Sequence, residues 1–282
     1  MPPPISAAGK ARIAPPQRTS LPGGVTWGEM QNFDGAGRTI TGTSIFDPVL
    51  CELAYRWFCP ANGKVLDPFA GGSVRGIVAG KTGRRYLGID LSPKQVAANE
   101  EQARAICTGH GDAIPTWRVG DSLEILPKLK AKSFDFVFSC PPYGDLEVYS
   151  DDPRDLSTMP HNEFLAVYHT IIRYCLGKLA ADRFACFVVG DFRDAGGFYR
   201  DFVGATVEAF TLAGAPLYNE MILVTAVGSL PIRVGKQFAT TRKIGKTHQN
   251  VLLFCKGDPR KATQACGDVE FGDVIGDESE GG

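Results

Sequence analysis

The chain holds 282 residues, 44% of them hydrophobic and 22% charged, with 30 Lys and Arg against 31 Asp and Glu and a formal net charge of -1. That composition excludes a disordered polar chain and a periodic fibre, and no run approaches the roughly 18 continuous apolar residues of a membrane span. Near-neutrality also excludes a uniformly basic nucleic-acid binder, though a local basic surface stays open.

Six of the 19 prolines and six of the 33 glycines fall in residues 1–40, which reads as a flexible arm opening without a secretory signal. A folded domain is expected over 41–260. Asp47 and Pro48 announce its first helix, a side-chain cap followed by a residue that needs no N–H partner. Short apolar runs then alternate with helical patterns: strands at Lys64 to Asp67, Arg85 to Asp90, Thr116 to Val119, Phe134 to Ser139 and Phe184 to Gly190. Helices are expected from Ser92-Pro93 to about Ile106, near Glu163 to Leu179 and near Tyr199 to Leu212, and two last strands around Glu220 to Ala226 and Asn250 to Lys256, joined without a helix. The pattern predicts an α/β fold, a doubly wound seven-stranded, mostly parallel sheet with an antiparallel last strand. From Cys266 onward six acids and no base mark a solvated tail, set within 261–282.

The eight cysteines include no Cys-x-x-Cys pair and mostly sit in apolar runs, so free thiols in a reducing cytoplasm are expected and no metal is assigned.

In such sheets ligands bind beyond the carboxyl ends of the strands. The first strand ends in Asp67-Pro68-Phe69-Ala70-Gly71-Gly72, the second in Asp90-Leu91, the third in Asp121-Ser122 and the fourth in Cys140-Pro141-Pro142-Tyr143. A glycine turn admits close approach of a ligand, Asp90 is placed for a ribose diol and Asp121 for an exocyclic adenine amine, which together describe a nucleoside pocket.

These motifs resemble those of the S-adenosylmethionine-dependent DNA amino-methyltransferases, whose Asp-Pro-Phe-x-Gly and Asp/Asn/Ser-Pro-Pro-Tyr segments match 67–71 and 140–143. The resemblance spans roughly 43–257. It implies a Rossmann-like methyltransferase fold and a cofactor site at Phe46, Asp67 through Gly72, Asp90, Leu91, Asp121 and Ser122. Its implied partner is duplex DNA with a flipped base, in a restriction-modification setting, with no membrane.

The chemistry of 140–143 follows from the amine. Its lone pair is delocalised into the ring, and acceptors at position 140 and on the Pro141 carbonyl, aimed at both amine protons, stabilise the charge that develops during attack. Pro142 fixes the turn, and Tyr143 offers a face for the flipped base. Cys140 departs from the family pattern, since a neutral thiol is a weak acceptor. Three roles stay open for it: replacement acceptor, covalent nucleophile toward a pyrimidine ring, or the mark of a non-catalytic cofactor-binding module. RNA or a protein glutamine amide is the alternative target.

Two connections complete the expectation. The stretch from Gly144 to about His161 is long enough for a lid over the base. Gly228 to Gln249 carries Arg233, Lys236, Arg242, Lys243 and Lys246 with no acid, a candidate phosphate-binding surface.

Overall fold

A computed structural model describes residues 46–144, 149–224 and 230–269, without the side chains of 230–233 and 236. The expected arm over 1–40 and most of the acidic tail lie outside the described residues. In chain order the elements are α1 (Pro48–Phe58), β1 (Lys64–Asp67), α2 (Val74–Lys81), β2 (Arg85–Asp90), α3 (Pro93–Ile106), β3 (Thr116–Val119), α4 (Ser122–Lys128) and β4 (Phe134–Ser139). There follow a single 3-10 turn (Leu156–Thr158), α5 (His161–Lys178), β5 (Leu179–Val189), α6 (Phe202–Leu212), β6 (Leu217–Val224), α7 (Leu230–Thr241), β7 (His248–Lys256) and α8 (Pro259–Cys266).

The described strands form one sheet in the order β3-β2-β1-β4-β5-β7-β6. β1 to β5 run parallel, and β7 is antiparallel to both β5 and β6, as the sequence predicts. Asp47 caps α1 by accepting from the Val49 and Leu50 N–H groups, and Ser92 caps α3 through Gln95. On α5, Phe164, Tyr168, Ile171, Ile172 and Cys175 recur at helical spacing and are buried, which turns that face onto the sheet.

Both faces of the sheet are covered, so the central strands are continuous apolar runs. One core packs β4, β5 and β7 against α4, α5 and α6, with the Phe210 and Phe254 rings stacked 3.8 Å apart. The other gathers Tyr55, Phe136, Phe138 and Cys186 beneath α1, α2, α3 and α8. Each fully buried Phe contributes roughly 1.5–3 kcal/mol of transfer free energy.

Three expectations change. The connection from Gly228 to Gln249 contains a helix, α7, whose Pro231 occupies an early helical position where a missing N–H costs nothing. The same start signal, Asp258 before Pro259, opens α8, whose Ala262 is buried, so packed chain continues through Cys266, beyond residue 260. The long stretch after Tyr143 is not a free lid from Tyr149 onward, because Leu156 enters the core and Asp155, itself buried, accepts from Ser150 and Ser157. Residues 145–148 lie outside the described residues.

Candidate active site

The carboxyl ends of β1, β2, β3 and β4 meet on one rim. Asp67, last residue of β1, is 0% exposed and spends every acceptor on the protein. Its Oδ1 accepts from the Phe69 N–H at 3.1 Å and the Ser139 hydroxyl at 2.5 Å, its Oδ2 from Arg75 Nε and the Tyr86 hydroxyl, each at 2.7 Å. Asp67 therefore anchors the turn from within. Because Ser139 closes β4, the same carboxylate ties the turn after β4 to the glycine turn after β1.

Arg75 spans the turn, donating to the Phe69 and Ala70 carbonyls at 2.7 and 2.8 Å while its guanidinium lies 4.7 Å over the Phe46 ring. Phe46 in turn meets Phe138 edge-on. The Pro68 carbonyl accepts from the Ser122 hydroxyl at 2.6 Å, so that buried side chain holds the turn. Phe69 packs into the core against Tyr168 and Phe187, and Ala70 is buried with its N–H on the Ile89 carbonyl.

Gly71 is clamped from both sides. Its N–H donates to Asp90 Oδ2 at 2.9 Å and its carbonyl accepts from Asn99 at 2.8 Å. Its φ of +52° favours glycine, and a Cβ built at Gly71 or Gly72 would meet no described residue within 4 Å, so among the described residues the turn is uncovered. Asp90 Oδ1 accepts from the Ser92 N–H, just past Leu91. Burial raises the Asp90 carboxyl above its ordinary value, opposed by those two N–H donors. Asp121 caps α4 through Oδ1 on the Leu123 N–H, and no described residue bonds its Oδ2. Open turn, part-buried acid and spare carboxylate oxygen fit the polar groups of a nucleoside.

Past β4, Pro141 is buried, and Cys140 and Tyr143 are half-buried. The Tyr143 hydroxyl accepts from Gln249 Nε2 at 2.5 Å and is hydrogen-bonded to the Cys140 side chain. Burial raises the phenol well above its usual range, and the neighbouring Cys140 raises it further. Phe192 and Phe202 meet the Tyr143 ring edge-on at 6.4 and 6.1 Å.

Of the basic candidates, Lys246 Nζ lies 3.9 Å from Asp191 and 3.5 Å from Asn250, beside Gly190 and Tyr143. Lys243 lies over Gly197, and Arg242 over the Phe238 ring. The side chains of Arg233 and Lys236 lie outside the described residues. Asp191 accepts from Val203 in the first turn of α6, whereas Asp194 closes a turn of its own.

Sequence reasoning misses Arg75, Tyr86, Asn99, Ser139 and Gln249. A cation directly after a glycine turn and a polar Asn99 on the buried stripe of α3 were the available signals; Gln249 becomes visible only when β7 is placed beside β5.

A family model for RNA cap guanine-N2 methyltransferases matches residues 62–177. No curated protein sequence matches the chain. A Methanosarcina mazei S-adenosylmethionine-dependent methyltransferase is 14% identical over 76% of this chain and 99% of its own, with a TM-score of 0.50. Magnesium protoporphyrin IX methyltransferase of Synechocystis, solved with bound S-adenosylmethionine, is 15% identical over 70% of this chain and 71% of its own, at 0.42. A TehB-like methyltransferase of Corynebacterium glutamicum is 18% identical over 76% and 90%, at 0.43.

The strand order is that of the Rossmann-like methyltransferase fold, which the Methanosarcina mazei S-adenosylmethionine-dependent methyltransferase shares.

Proposed function

We propose that the protein transfers the methyl group of S-adenosylmethionine to an exocyclic amine of adenine or cytosine in DNA, with the target base flipped out of the duplex. The observation that carries this reading is the Ser139 to Asp67 bond, which fixes the Cys140-Pro141-Pro142-Tyr143 turn against the glycine turn. A donor site and an amine-binding turn sharing one anchor are what direct transfer between two bound groups requires.

The Gly71-Gly72 turn, Asp90 and Asp121 would hold the cofactor, which supplies a methyl activated on a sulfonium. Asp90 accepts from ribose hydroxyls and the spare Asp121 oxygen from the adenine amine. Cys140 sulfur and the Pro141 carbonyl would accept hydrogen bonds from the two protons of the target amine, drawing its nitrogen toward tetrahedral geometry as the N–C bond forms and the methyl–sulfur bond breaks, its electron pair staying on sulfur as a neutral thioether. Tyr143, donating to Cys140, orients the sulfur lone pairs. The alkylated amine is acidic enough to release its proton to water, so no base is required. Arg242, Lys243 and Lys246 on the connection into β7 supply cations for a phosphate backbone.

A second reading, favoured by the family model over 62–177, keeps this chemistry and moves the target to guanine N2 in RNA. Incubation with labelled S-adenosylmethionine and duplex DNA or RNA, followed by digestion and mass analysis of nucleosides, separates them. Methylated adenine or cytosine from DNA supports the first reading and N2-methylguanine from RNA the second. Label confined to protein, or cofactor binding without transfer, overturns both.

A further inference from the structure

The chain leaving β5 folds into a tight turn on the catalytic rim. The Asp194 N–H donates to the Phe198 carbonyl, the Phe198 N–H to Asp194 Oδ1 and the Gly197 N–H to the Asp194 carbonyl, each at 2.9 Å. Arg193 and Tyr199 pair across the base of the turn as an antiparallel bridge. The Arg193 guanidinium lies 3.9 Å over the Tyr199 ring and donates to the Gly197 carbonyl at 2.8 Å. Gly197 has a φ of +92°, and a Cβ there would fall 2.6 Å from Lys243 Nζ, so backbone and lysine are in close contact.

This turn is rooted in the site. Arg200 donates its N–H to the Phe192 carbonyl, and the buried Phe192 ring is the one that meets Tyr143. At the tip Phe198 is 75% exposed, next to half-exposed Tyr199. The ring belongs to neither core cluster, so a smaller residue there would forfeit little packing.

We propose that Phe198 inserts into the double-stranded nucleic acid on which the protein acts and fills the stacking gap left by the flipped base, with Lys243 meeting a flanking phosphate. The inference rests on the nucleic-acid reading above. The physics is that of an apolar wedge: unstacking a base step costs free energy, and an aromatic face on a rigid support recovers part of it without losing conformational freedom on binding.

The test compares native protein with Phe198→Ala and Phe198→Trp, using genomic DNA in native and heat-denatured form and labelled S-adenosylmethionine. Phe198→Ala is expected to lower kcat/KM on duplex by about 5- to 150-fold, the range of one stacked base. Phe198→Trp recovers it, and unfolding midpoint and cofactor affinity stay unchanged. Duplex activity of Phe198→Ala within two-fold of native, failure of Trp to recover a loss, or an equal loss on heat-denatured DNA overturns the proposal. A native protein that methylates no nucleic acid overturns the reading beneath it, and the proposal with it.

Discussion

The two halves of the rim are built by opposite rules. Around β1 and β2 the polar side chains are satisfied within the protein: Asp67 holds four donors in full burial, Arg75 holds two carbonyls, and Asn99 and Asp90 clamp Gly71. Around β4, β5 and β7 single polar bonds are strung between aromatic rings, Gln249 to Tyr143 to Cys140, walled by Phe192 and Phe202. The first half is a lock in which loss of one member strands several others in low dielectric. The second can change its chemistry while leaving the fold intact, because its packing is carried by rings and its reactivity by a few atoms.

The largest effect belongs to the lock. Asp67→Asn leaves Arg75 buried without its anion and is expected to cost about 3–5 kcal/mol in urea unfolding; a loss below 1 kcal/mol would break the comparison. On the other side, Cys140→Ala should lower kcat by about 10²–10³-fold, as for loss of one transition-state contact, with the unfolding midpoint unchanged. Cys140→Ser then sharpens the role: retained transfer identifies an acceptor, and abolished transfer a covalent nucleophile.

Asp90 sits between these extremes. Its carboxylate must be ionised to accept from a ribose, and burial raises its pKa, so cofactor affinity should fall as pH drops, beginning above the ordinary carboxylate range. The sign for stability is the reverse: a raised folded-state pKa favours the folded form at low pH, and that contribution is lost as pH rises through it. Asp90→Asn should weaken binding by about 10- to 100-fold, the worth of a hydrogen bond to a charged group, and flatten the pH profile measured by calorimetry. The smallest effect falls to Gln249→Leu, which frees the Tyr143 hydroxyl on one side. A loss of about 2- to 10-fold in kcat with KM for cofactor unchanged is expected, and a fall in the unfolding midpoint matching that of Asp67→Asn would erase the distinction between the halves.

What the sequence made legible follows from the range of the forces involved. The ends of β1 to β4 and the Asp47-Pro48 and Ser92-Pro93 helix starts are local signals, and all are in place, whereas β5 begins earlier than its expected run, at Leu179, and β6 at Leu217. The helix α4 was hidden by its brevity and by Pro127 within it, and α7 by the run of cations that drew attention to charge over periodicity. Asp67 and Ser122 show a different limit of local signals. Both occupy the ligand-side end of a strand, and only the three-dimensional packing reveals that Ser139, Arg75, Tyr86 and Pro68 reach them first. Gln249 is 106 positions from its partner, beyond any periodic pattern.

The reversed strand β7 has a practical meaning for redesign. Because it runs against β5, with Val189 opposite Asn250, its first residues and not its last are delivered to the rim. Lys246 and Gln249 therefore arrive beside Tyr143 from a segment that contributes nothing to the cradle of β1 and β2. That segment is a natural graft point: exchanging the connection into β7 would change what is brought to the rim beside Tyr143 while the turns after β1 and β2 stay untouched.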